Sequence, residues 1–178
     1  MRYLILTCFV LVLISCHTKV EKTSIRFFSL KHFFEQESTR LAKTKQYIDK
    51  SVSYNGSIER KKVLIKDWKN ELNTFAESDI NKSAWRDSYQ VVKDSNYINY
   101  YALDSTLRTR NIMIRKDMLG KLIRLDIINK TNNLLYQSLE HLTYIPDSIY
   151  AIDKKQHVIL IGDNHYFISG RFNQGGKL

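Results

Sequence analysis

The sequence predicts an α+β protein in which two helices pack on a long, curved antiparallel meander sheet, with an incomplete barrel as one form of that sheet. Three observations predict it. Apolar stripes of helical period lie in the first half of the chain. Strand patterns with turn signals about every eight to twelve residues fill the second. Aromatic residues reach 12% and include eleven Tyr, a content usual for sheets and high for a bundle. The 178 residues allow one ordinary domain. Hydrophobic residues at 43% and charged residues at 26% exclude disorder for the bulk, and one Pro with six Gly excludes collagen-like and low-complexity classes.

Residues 25–45 read as the first helix. Phe27, Leu30, Phe34 and Leu41 recur on one face of a 3.6-residue period, Ser24 can cap it, and Phe28 and Phe33 widen the apolar surface. Core packing is the first meaning of this aromatic cluster, an apolar ligand pocket or membrane-facing patch the second. Residues 47–62 then alternate with period two around Asn55-Gly56, whose positions favour positive φ, so a hairpin is expected. Leu64, Trp68, Leu72 and Phe75 form the stripe of a second helix over 64–77, with Asp67 in its first turn. Strands follow: Tyr89 with Val91 and Val92, Tyr97–Leu103, Leu107–Lys116, Lys121–Lys130 and Leu134–Tyr144. After the Pro146-Asp147 turn come Ile149–Ile152, His157–Ile161 and Tyr166–Phe172, the last two joined by Gly162-Asp163-Asn164. In the hairpin over 107–130, one face carries Arg108, Arg110, Ile112, Ile114 and Lys116 against Lys121, Ile123, Leu125, Ile127 and Asn129. Its middle is apolar and its ends basic, so this face is expected on the core, with basic residues at the rims.

The first sixteen residues carry a more specific signal. Met1-Arg2 is a short positive start, and Tyr3 to Ile14 is an uncharged apolar run too short to span a membrane comfortably. The run ends Leu13-Ile14-Ser15-Cys16, which resembles the lipobox of bacterial lipoprotein signal peptides at all four places. That resemblance implies cleavage before Cys16, diacylglycerol on its sulfur and acylation of the new amino terminus, hence a membrane partner through N-terminal lipid. By the same analogy His17 after the Cys, with no acidic cluster behind it, implies the outer membrane with the domain facing the periplasm. The expected organisation is a signal peptide over 1–15, a lipidated tether over 16–24, one domain over 25–173 and a frayed tail over 174–178. Removing the leader leaves Cys16 as the one cysteine, so thiol chemistry, Cys-based zinc sites and internal disulfides are not expected. The segments Asp79-Ile80-Asn81-Lys82, Trp85-Arg86-Asp87-Ser88-Tyr89 and Leu142-Thr143-Tyr144-Ile145-Pro146 resemble small Bacteroidota lipoproteins, which implies a shared fold and imports no activity.

No phosphate-binding loop, dinucleotide fingerprint, nucleophile elbow or zincin helix is present. The five His sit at 17, 32, 141, 157 and 165, in separate elements, so no metal site, cofactor or catalytic group is predicted. Net charge is +10 at a pI near 9.5. Arg108, Arg110, Lys116 and Lys121 crowd one hairpin and are the candidate anion or ligand surface. Nucleic acid is excluded for an exported lipoprotein; lipid phosphates, lipopolysaccharide and acidic glycans fit better. Three functions follow. The first is a non-enzymatic binding module for an apolar or anionic amphipathic ligand, whose architecture resembles the carriers and acceptors of bacterial lipoprotein transport. The second is a structural lipoprotein docking on an outer-membrane complex through a protein partner the sequence does not name. The third is a hydrolase using Asp79 and Asp87, opposed by the reading of both as turn and cap residues.

Overall fold

A computed structural model describes residues 26–173. The leader, Cys16, the tether and the tail over 174–178 lie outside the described residues. Helix α1 (Leu30–Thr44) leads into the hairpin β1 (Tyr47–Tyr54) and β2 (Ser57–Leu64). Two short helices, α2 (Trp68–Glu71) and α3 (Asn73–Ala76), and a 3-10 turn (Ser83–Trp85) follow. The rest is a meander: β3 (Tyr89–Lys93), β4 (Tyr97–Ala102), β5 (Thr109–Lys116), β6 (Leu122–Asn132), β7 (Tyr136–Ile145), β8 (Ile149–Val158) and β9 (Gly162–Phe172). The nine strands form one antiparallel sheet in the order β2-β1-β9-β8-β7-β6-β5-β4-β3. The α+β class holds. Among the described residues the sheet is open: β2 and β3 are its edges and no pairing closes it into a barrel.

Helix α1 starts later than the periodicity predicts. Its cap is Ser29, whose Oγ accepts from the His32 N–H at 3.2 Å, and Lys45 ends it in the left-handed region. Leu30, Phe34 and Leu41 face the sheet and are fully buried, and Phe27 joins them just before the helix. The predicted helix over 64–77 is two helices broken at Leu72. Leu64 belongs to β2, and Asp67 caps α2 by accepting from the Asn70 N–H at 2.9 Å. Trp68, Leu72 and Phe75 are buried, as their stripe requires. Asn55 and Gly56 take φ 49° and 89° in the β1–β2 turn, the left-handed pair expected of that dipeptide.

Two corrections concern the sheet. The strands expected at 149–152 and 157–161 are one ten-residue strand, β8, and the turn into β9 falls at 159–161. The register of β5 on β6 skips Arg110 and Ile123, each a local irregularity. The skip at 123 exchanges the predicted core residue: Leu122 is buried and Ile123 is 47% exposed. Between these points the face is as the alternation predicts, with Ile112, Ile114, Leu125 and Ile127 buried.

All the described helices lie on one side of the sheet. Phe34 meets Tyr144 and Phe75 at ring distances of 5.2 and 5.1 Å, and Trp68 stacks on Phe172 at 5.6 Å. This aromatic layer fills the space between α1 and the sheet, so the described residues close a core of their own. Two carboxylates clamp helices to strands. Glu37 of α1 accepts from the Tyr144 hydroxyl and from Arg40 at 2.7 and 2.8 Å. Glu71 of α2 accepts from the Tyr150 hydroxyl at 2.5 Å and from Lys50 at 2.6 and 2.8 Å. Burial, reinforced by the facing carboxylate, pushes both phenols far above their ordinary value.

Candidate functional site

Past the helices, the covered face of the sheet changes from apolar to polar. The change follows the register. Thr109, Asn129, Glu140, Lys154 and Tyr166 form one row across five strands, and Tyr54 extends it onto β1. The next row toward the strand ends is Thr131, Ser138, Gln156 and Asn164. Helix α3, the 3-10 turn and the β4–β5 loop stand beside these rows. Together they bound a cavity of about 850 Å³ that includes Thr74, Trp85, Arg108, Tyr136, Glu140 and Lys154.

Glu140 is the centre of this site and is 6% exposed. Its Oε2 accepts from Arg108 Nη2 at 2.8 Å and from Asn129 Nδ2 at 3.3 Å, and its Oε1 accepts from Lys154 Nζ at 3.1 Å. Burial acts to raise its pKa, but Lys154 and Arg108 outweigh burial and hold the carboxyl below its usual range. Burial acts to lower Lys154, and its contacts with Tyr136 and Glu140 outweigh that too, so it stays charged. Asn129 also donates to Ser78 Oγ at 2.9 Å, while its buried Oδ1 has no partner among the described residues. Two cations therefore share one carboxylate held in its ionised form. The surplus positive charge faces a cavity flanked by aromatic rings, an arrangement suited to holding an anion beside a polar, partly ring-shaped body. On this face Asn164 also receives the Tyr54 hydroxyl at 2.6 Å.

The open face has a smaller concavity of about 430 Å³, in which Lys130 and Lys155 flank Leu139 near His157 and His165. His157 Nδ1 lies 2.8 Å from Asp163 and His165 Nε2 lies 2.7 Å from Asp153. Among the described residues no group of three or more His, Cys, Asp or Glu is placed to hold a metal ion, and no helix is long and apolar enough to cross a membrane.

The sequence-predicted surface residues do not converge. Arg108 enters the cavity. Arg110 sits on the bulge and donates to the Asp104 carbonyl at 2.8 Å. Lys116, 5.8 Å over the Phe28 ring, and the exposed Lys121 lie at the far end of β5, roughly 25 Å away. Asp79 is committed to capping: it accepts from Ser29 Oγ at 3.0 Å, the Lys31 N–H at 2.8 Å and the Asn81 N–H at 2.7 Å. Asp87 is exposed and pairs with Arg26 at 2.6 Å. The sequence reading missed Glu140, Lys154 and Tyr136. One signal was available: Glu140 stands between Ser138 and Leu142 on the face that alternation assigns to the core, where a lone carboxylate demands a cation. Lys154 was hidden because β8 was split at the polar run Asp153–Gln156.

Compared with protein-family models, with curated proteins and with solved structures, the chain matches none. The functional reading therefore rests on this geometry.

Proposed function

We propose that the protein is a lipid-anchored cell-envelope module, attached through Cys16 to the outer membrane and facing the periplasm, that binds an anionic amphipathic ligand without transforming it. In this reading the sheet curves round its helices as a half-open trough. One observation carries the ligand class: Arg108 and Lys154 converge on a single buried carboxylate at the edge of a polar floor flanked by Tyr136 and Trp85. The cations take the anionic headgroup, while the hydroxyl and amide side chains of the floor take its polar body. The polar floor favours this ligand over a purely apolar one, because bare hydrocarbon would leave those groups unpaired.

The test uses residues 17–178 and short-chain phosphatidylglycerol as the probe, read by native mass spectrometry and by titration. Saturable binding that falls about tenfold in Arg108→Gln and in Lys154→Gln, with melting temperature kept, supports the reading. No binding, or binding indifferent to both substitutions, overturns it for this lipid class. Anchoring is tested separately by Cys16→Ala, which should release the protein from the membrane fraction and change its electrophoretic mobility.

A second reading is favoured by the sheet face opposite the described helices, where Ser51, Ser169, Ala151 and Thr143 make a row of small side chains. It is a structural lipoprotein that docks on an outer-membrane complex there. Crosslinking in cells from that row, with one partner recovered repeatedly, would favour it over ligand binding.

A further inference from the structure

Hairpin loops usually carry Gly, Asn, Asp or Ser at their tips. Two neighbouring loops of this sheet do not. The β6–β7 loop presents Leu134 and Leu135, 91% and 69% exposed, and the β8–β9 loop presents Ile159, Leu160 and Ile161 at 48%, 101% and 74%. The Ile159 N–H donates to the Leu135 carbonyl at 3.1 Å, so the loops lie side by side. They are hydrogen-bonded turns. Asn133 Oδ1 accepts from the N–H groups of Leu135 and Tyr136 at 3.0 and 2.9 Å, and the Ile161 N–H donates to the Val158 carbonyl at 3.1 Å. Leu160 has φ +78°, a region that belongs by preference to Gly or Asn. A bulky apolar side chain is thus held outward at a backbone position that disfavours it, which is the mark of a residue kept for what it contacts.

Charge is layered behind the tips. Lys130 and Lys155 stand on the open face, in one register row across Leu139. Both are exposed, and neither has an acidic partner among the described residues. They lie four residues behind Leu134 and Ile159 respectively, roughly 13 Å along the strands. The acid nearer the tips, Asp163, is engaged by His157. Apolar side chains in front and unpaired lysines one step behind match the layering of a bilayer surface, where phosphates overlie hydrocarbon.

We infer that this end of the sheet is a lipid-docking surface: the Leu134-Leu135 and Ile159–Ile161 tips enter a bilayer, and Lys130 and Lys155 meet its headgroup phosphates. This contact is separate from the anchor at Cys16 and from the Arg108–Lys154 cavity.

The experiment is flotation of residues 17–178, whose described part closes its own core, with vesicles of phosphatidylcholine alone or with about a third phosphatidylglycerol. The protein should float with the mixed vesicles, and added salt should weaken the association. Leu134→Ser with Leu160→Asn should reduce partitioning at least tenfold. Asn suits the backbone at 160, so this variant should fold at least as well as the parent, checked by melting temperature. Lys130→Gln with Lys155→Gln should cut the preference for phosphatidylglycerol by about tenfold. Lys62→Gln, an exposed lysine of β2 outside both the tips and the cavity, should float like the parent, while the ligand-binding reading keeps its own readout in the short-chain titration. No flotation with either vesicle, or flotation unchanged in the tip variant, overturns the inference. A concentration-dependent dimer that the tip substitutions dissolve, without flotation, overturns it in favour of a second copy of the chain.

Discussion

Gly170 lies on β9 directly beneath the Tyr150 ring. A Cβ at 170 would fall 2.1 Å from Tyr150 Cε1, 2.3 Å from Cζ and 2.4 Å from the hydroxyl oxygen. Ordinary carbon contacts need roughly 3.5 Å, so in Gly170→Ala the ring must withdraw by about 1.5 Å. It has nowhere easy to go. Tyr150 is fully buried, with Trp68 and Phe172 at ring distances of 6.2 and 6.3 Å. Withdrawal also breaks its 2.5 Å hydrogen bond to Glu71, the clamp that holds α2 on the sheet. Overpacking costs about 1–3 kcal/mol and a lost hydrogen bond to a charged acceptor about 1.5–3 kcal/mol. Together they predict a loss of about 2.5–6 kcal/mol, a large part of the stability of a domain this size. Urea unfolding followed by tryptophan fluorescence measures it, and Trp68 against Phe172 reports from the site. In a Tyr150→Leu background the same Gly170→Ala change should cost under about 1 kcal/mol. A loss below about 1 kcal/mol in the parent, or an undiminished loss without the ring, would refute the argument.

Stability should fall on the alkaline side. Burial raises Tyr89 to about 12 against a weaker lowering by Arg110, and it pushes Tyr144 and Tyr150 higher still. A phenol raised in the folded state stabilises it fully below pH 10, and that contribution is lost as pH rises further, so melting temperature should drop above pH 10. Tyr150→Phe should flatten part of that slope; an unchanged slope counts against the clamp. Glu140 has the opposite sign: its folded pKa is depressed, so its contribution is present above about pH 4.5 and lost as pH falls through the folded value. The acid limb of the melting curve should be shallower in Glu140→Gln than in the parent. Asp79→Ala should cost about 1–2 kcal/mol by chemical denaturation, since it ties Ser29 and Lys31 at the head of α1; a change below about 0.3 kcal/mol would mean the cap is idle.

Much of the architecture was legible because it depends on local pattern. Asn55-Gly56 announced its hairpin through the one turn chemistry that fits, and the Ile112, Ile114, Leu125, Ile127 alternation picked out the buried face. The misreadings share a cause. Period and propensity are local, whereas β8 runs on through Asp153–Gln156 because β7 and β9 pair with it on both sides. The irregularities at Arg110 and Ile123 carry no glycine to flag them, so the exchange of Ile123 for Leu122 followed only from pairing. The site was legible in one residue, Arg108. Its partners Glu140 and Lys154 come from strands 32 and 46 positions away in sequence and are brought together by register alone.

The sheet order also bears on how the chain acquires its structure. Strands β1 and β9 are neighbours, so the N-terminal hairpin joins the sheet only through the last strand of the described residues. The hairpin therefore precedes in the chain, by about a hundred residues, the strand that pairs it to the sheet. Contacts between such distant segments slow folding and lengthen the time for which an unpaired edge is exposed. Truncation ahead of Gly162 should therefore unmoor β1 and β2 as well as remove β9, and loss of the C-terminal strand would register first as disorder at the N-terminal end.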